Sequence, residues 1–198
     1  MFRLALLTAL LLPAASFAAV DAKLTDSCAG CHGDKGLSSA QDVPTIAGVS
    51  ATVTSDALKA YRAKSAPYPK VNYKCGDTSR QGAMCTVAKD LSDAQIADLA
   101  DYFAKLPYAA QKQAFDAGKA AAGKLVHDRD CKKCHSAGGK DPSDDAGILA
   151  SQPLQWLKAA LTSFQQAKRE QPKKMQDVTS KLSGADIEAL ANFYASEE

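Results

Sequence analysis

Cys131-Lys132-Lys133-Cys134-His135 has a twin, Cys28-Ala29-Gly30-Cys31-His32, 103 positions earlier in the chain. Both read C-x-x-C-H, the attachment signature of c-type haem. The two thiols add across the haem vinyl groups as thioethers, and the His that follows is held beneath the iron as an axial ligand. The spacing matters because both sulfurs and the imidazole must reach one porphyrin from a single turn of chain. Zinc accepts the same cysteine spacing. It leaves unexplained the His after each pair and the matched methionines described below. The candidate attachment residues are therefore Cys28, Cys31, Cys131 and Cys134, for two covalently bound haem c groups.

The chain opens Met1-Phe2-Arg3, runs apolar from Leu4 to Leu12, then gives Pro13 and a small-residue stretch to Ala18. One positive charge, a short apolar core and small residues at a cut describe a secretory signal peptide over 1–18. The apolar run is too short for an ordinary membrane-spanning helix, and no later segment is apolar enough to span. C-type haem is attached outside the cytoplasm, so leader and haem motifs agree on a periplasmic protein without stable membrane insertion. Lys plus Arg number 24 against 22 Asp plus Glu, a balance that does not point to nucleic acid.

Two halves repeat. From Leu91 the first reads LSDAQIADLADYFA; from Leu182 the second reads LSGADIEALANFYA. Ile96, Leu99 and Phe103, and Ile187, Leu190 and Tyr194, recur at steps of three and four, which predicts an amphipathic helix closing each half. Ser92 with Gln95 predicts a capping box, and Ser183 with Asp186 a weaker one. Shorter helices are expected before each motif, within Val20 to Ser27 and over Phe115 to His127. Others are expected between motif and methionine, over Thr54 to Ala63 and Pro153 to Ala167. No alternating strand pattern is visible. The fold class is all-α: two tandem haem-wrapping domains at 19–107 and 113–198, with the boundary near Leu106-Pro107-Tyr108. Each half is small for a self-sufficient core, and a haem offers the apolar plate around which short helices can pack.

Beyond the initiator, the chain has only two methionines, Met84 and Met175, each seven residues before the Leu that opens its closing helix. A lone Met is usually core filler. Two in matched register, each downstream of a haem motif, pair His32 with Met84 and His135 with Met175 as axial ligands. Such ligation raises the potential relative to two histidines and fills both axial positions, so each centre carries one electron and transforms nothing itself. Cys28 to Met84 spans 56 positions and Cys131 to Met175 spans 44. The excess in the first half is expected within Ser65 to Ala83, a stretch that contains Cys75.

Cys75 and Cys85 read as a disulfide bracing Met84, given an oxidising compartment; a redox-active or metal-binding pair is the other reading. His127 reads as an exposed helix residue. Lys168, Arg169, Lys173 and Lys174 read either as a solvated face or as a docking patch for an acidic partner.

On CAGCHG, CKKCHS, the two methionines and the paired L-S-x-A-x-I-x-x-L-A helices, the chain resembles the diheme class I cytochromes c. That family includes the soluble c4 carriers and the cytochrome subunit of flavocytochrome c sulfide dehydrogenase. In the second half LVHDRDCKKCHSAGGK, ILASQPLQWLKAALTSF and PKKM resemble the latter more. The resemblance implies cytochrome-c-like domains related by a pseudo-twofold axis, haem propionates near their interface, and a flavoprotein partner oxidising sulfide. It also implies that Pro44, twelve residues after His32, offers a backbone carbonyl to that ring. The second half has Ala146-Gly147-Ile148-Leu149 there, so another carbonyl must serve His135. The two alternatives to a sulfide dehydrogenase subunit are a free diheme carrier delivering electrons to a terminal oxidase and a catalytic cytochrome whose Met is displaced.

Overall fold

Each half begins with a helix that runs into its C-x-x-C-H motif. In the computed structural model, which describes residues 20–64, 71–72 and 81–198, α1 spans Ala22–His32. It starts where the Asp21 carboxylate accepts from Lys23 N–H and stops at Gly33, whose φ of 81° no β-carbon could share at that spot. A Cβ there would lie 2.2 Å from the Leu37 carbonyl oxygen. The expected helix before this motif thus runs through it, because no residue before Gly33 breaks the helix.

The second half starts with α5, Ala117–Val126, capped by Asp116. It passes directly into a π-helical turn over His127–Cys131, closed by Lys132 N–H donating to the His127 carbonyl at 2.9 Å. Such a widened turn is rare and tends to mark functional positions.

Helices α2 (Ala51–Arg62) and α6 (Leu154–Gln165) follow the motifs, and α4 (Asp93–Ala104) and α8 (Gly184–Ser196) close the halves. Both capping boxes form, the Ser183 box being complete despite the shorter Asp186, which accepts from Ser183 N–H at 2.8 Å. Two short helices were not legible in the sequence: α3, Met84–Ala88, and α7, Lys173–Thr179, so both methionines sit on helices. Among the described residues, one small sheet departs from the helical pattern. Strand β1, Val71–Asn72, pairs antiparallel with β2, Gln81–Gly82, within the first-half insertion. Two residues per strand carry no periodicity to read.

Among the described residues, each half gathers one core. In the first, Leu58, Tyr61, Leu91, Ile96, Leu99 and Phe103 pack together; in the second, Val126, Leu157, Leu182, Ile187, Leu190 and Tyr194 do. The closing-helix residues expected to face inward are all buried. Helix α5 lies along α8, and α6 packs on α8.

The repeat extends to the loops. The Gly36 carbonyl accepts from Ile46 and Ala47 N–H, as the Gly139 carbonyl accepts from Leu149 and Ala150. Gly48 N–H then donates to Phe103 and Ser151 N–H to Tyr194. The halves meet through these loops. Trp156 N–H, an orphan donor in the first turn of α6, is satisfied by the Gln41 carbonyl at 3.0 Å. Tyr108, in the helix-free segment 107–116, donates from its hydroxyl to the Ala150 carbonyl at 2.5 Å.

Candidate haem centres

His32 is the last residue of α1 and only 7% exposed. Its Nδ1 lies 2.8 Å from the Pro44 carbonyl oxygen. A carbonyl can only accept, so Nδ1 carries the proton and Nε2 keeps its lone pair. This is the carbonyl the resemblance implied. Burial holds the ring below the ordinary imidazole value, with the Pro44 bond opposing, and so keeps it neutral and fit to bind a metal. Cys31, directly before it, and Cys28, one turn earlier, are half-buried. Burial, and then the nearby Cys31, push the Cys28 thiol up to about 11. Cys28 and Met84 pack against the same first-half core. Cys85 lies beside them; Cys75, its expected partner, is outside the described residues.

The second site repeats the arrangement with one difference. His135 is 8% exposed, and Gly147 stands at the same twelve-residue step that Pro44 holds. Burial again lowers the imidazole value, and His127 adds to this; Asp144 and the Gly147 carbonyl oppose it. Yet no acceptor meets hydrogen-bond geometry at His135 Nδ1. Gly147 therefore offers His135 a backbone carbonyl as Pro44 does His32, but more loosely, outside the geometry that the 2.8 Å Pro44 bond meets. Cys131 packs against the second-half core, while Cys134 is exposed. Met175 is half-buried on α7, which packs on α6, and is not part of that core cluster.

His127 is 2% exposed, not at the surface as its sequence context led us to expect. Its Nδ1 lies 3.0 Å from the Tyr194 hydroxyl, and its ring stacks obliquely on Phe193 at 5.0 Å. The Tyr194 hydroxyl also hydrogen-bonds Cys131. A signal was present: the buried face of α5 is Ala120, Gly123 and Val126, and His127 continues it at seven residues from Ala120. The basic cluster near Met175 is partly committed within the protein. Arg169 lies 4.7 Å from the centre of the Phe164 ring and 5.8 Å from that of Tyr61, and Lys173 pairs with Asp177.

Each motif thus offers two thiols and a neutral, buried imidazole, the donor set of haem c. Among the described residues, no three His, Cys, Asp or Glu side chains gather as a metal cage of the kind zinc takes. When bound, haem supplies a one-electron iron couple. Cys28, Cys31 and His32 would hold the first, and Cys131, Cys134 and His135 the second.

The helical fold with its duplicated motif defines a diheme c-type cytochrome. Residues 19–107 match the family Cytochrome c, and residues 118–193 match the family Cytochrome C oxidase, cbb3-type, subunit III. Cytochrome c4 of Azotobacter vinelandii is 30% identical over 180 residues, covering 84% of this chain and 82% of that protein. The thiosulfate dehydrogenase electron acceptor of Thiomonas intermedia is 27% identical over 184 residues, covering 86% and 78%. The structure of reduced cytochrome c4 from Pseudomonas stutzeri superposes with a TM-score of 0.71 at 25% identity, covering 90% of this chain and 98% of that one. The chain belongs to the diheme cytochrome c4 family and is an electron carrier binding two haem c groups. No helix among the described residues is long and apolar enough to cross a membrane.

Proposed function

We propose that this protein is a periplasmic relay that takes electrons from a dehydrogenase of inorganic sulfur compounds and passes them to a terminal oxidase. The observation that carries the reading is the repeat itself: two neutral, buried imidazoles, each one turn from a thiol pair and each with a matched Met downstream. His32 and Met84 ligate the first iron, and His135 and Met175 the second. With both axial positions filled, neither centre offers a substrate an open site. The signal peptide covers 1–18 and the two domains 19–107 and 113–198. Kinship to a protein named as the electron acceptor of thiosulfate dehydrogenase supports a sulfur-oxidising donor. A second reading, a haem subunit docked on a flavoprotein sulfide dehydrogenase, rests on the second-half run LVHDRDCKKCHSAGGK. Purification of the native protein with its partner decides between them. A flavin spectrum co-eluting with the haem supports the docked subunit. A flavin-free diheme protein, reduced rapidly by a separate thiosulfate-oxidising enzyme, supports the relay.

A further inference from the structure

Gln152 closes a two-bond ring on Thr45 across the domain boundary. Thr45 N–H donates to Gln152 Oε1 at 3.0 Å, and Gln152 Nε2 donates back to the Thr45 carbonyl at 2.9 Å. Both residues are buried, at 1% and 3% exposure, where a polar side chain is kept only if it is fully partnered. The Thr45 hydroxyl is fixed as well, accepting from Ser38 N–H at 3.1 Å.

The Thr45 N–H and the Pro44 carbonyl belong to one peptide unit. That unit is planar and trans, so its N–H and C=O point opposite ways. Its oxygen faces His32 Nδ1 at 2.8 Å, and its N–H faces Gln152. Holding one end of the plane aims the other. A hydrogen bond to the N–H also polarises the carbonyl into a better acceptor.

The second half supplies an internal control. One repeat away, Val49 stands for Gln152 and Ile148 for Thr45, and Val49 has no amide with which to close such a ring on the Ile148 backbone. There the matching carbonyl, Gly147, reaches His135 only loosely, and Nδ1 lacks a partner in good hydrogen-bond geometry. Where the clamp exists the carbonyl meets the imidazole at 2.8 Å, and where it is missing the contact is looser.

We propose that Gln152 is a positioning residue through which the second domain sets the basicity of His32 in the first. The proposal rests on the reading of His32 as an axial ligand. An outer hydrogen bond to a ligating imidazole raises its basicity. A more basic ligand favours the ferric iron, so loosening the clamp raises the midpoint of the first haem.

The test uses the holoprotein and its Gln152→Leu, Gln152→Glu and Tyr108→Phe variants. Haem content is counted first, as the pyridine haemochrome. Nitrogen-15 NMR of the reduced protein then follows solvent exchange of the His32 Nδ1–H, and spectroelectrochemistry follows each midpoint. We expect Gln152→Leu to speed that exchange at least tenfold and to raise the first-haem midpoint alone. Gln152→Glu keeps an acceptor for Thr45 N–H and leaves the proton protected. Tyr108→Phe removes a bond to the second domain without touching Thr45 and leaves both readouts unchanged. Unchanged exchange in Gln152→Leu, equal shifts at both haems, or the same shift from Tyr108→Phe would each overturn the proposal. Fewer than two covalent haems in the parent protein would instead overturn the ligand reading beneath it.

Discussion

Gly123 on α5 touches the backbone of Ala189 on α8: a Cβ on Gly123 would lie 2.0 Å from the Ala189 carbonyl oxygen and 2.8 Å from Phe193 Cβ. The absent side chain lets the two helices pass close enough to bring His127 and Cys131 against Tyr194. Elsewhere in a helix, Gly→Ala gains up to about 1 kcal/mol of propensity. Here the obstacle is backbone, which cannot swing aside, and overpacking costs about 1–3 kcal/mol. Gly123→Ala should therefore destabilise the holoprotein in chemical denaturation. Gly118→Ala, which meets only the Asp116 carboxylate at 3.3 Å, should be neutral or mildly stabilising.

His127 makes stability depend on pH. Burial, more than any neighbouring charge, holds its value below the ordinary one of about 6.5. The unfolded chain then takes up a proton that the folded chain refuses. The stabilising contribution is complete above the unfolded value and declines as pH falls below it, until the folded chain takes up the proton too. His127→Gln removes the titration while leaving a polar group for Tyr194. Denaturation midpoints at pH 7.5 and pH 5 should fall apart by less in the variant than in the parent. An identical pH slope would mean that the loss arises elsewhere.

Each half rests on few large side chains, and domains this small rarely sustain a core unaided. Bound haem would supply the rest of the interior. Cys28→Ala/Cys31→Ala should leave the first half without a cooperative melt while the second half still melts, as followed by far-UV circular dichroism and haem absorbance. A haem-free first half with native helix content and a sharp transition would remove this argument.

The closing helices were legible because Ile96, Leu99 and Phe103, like their counterparts in the second half, repeat at a helical step and follow a Ser cap. The attachment motifs were legible because their chemistry needs fixed residues at fixed spacing. What escaped was non-local or too short. Gln152 and Thr45 lie 107 positions apart, and an amide beside Pro153 carries no local pattern that names its partner. Helix α3 has five residues, too few for a period, and β1 and β2 have two each. His127 reads as exposed because a polar residue at the end of a short helix usually faces water. The π turn that begins at His127 and the continuation of the α5 apolar face put it inside.

The central claim is that each iron is held between an imidazole and a thioether. Far-red absorbance of the ferric holoprotein tests it most directly, since sulfur-to-iron charge transfer gives a weak band there that two-histidine ligation lacks. Met84→Leu and Met175→Leu, each retaining two covalent haems, should each abolish about half of that band, and the double variant all of it. A full band in either single variant would show that its methionine does not ligate iron, and would contradict the account.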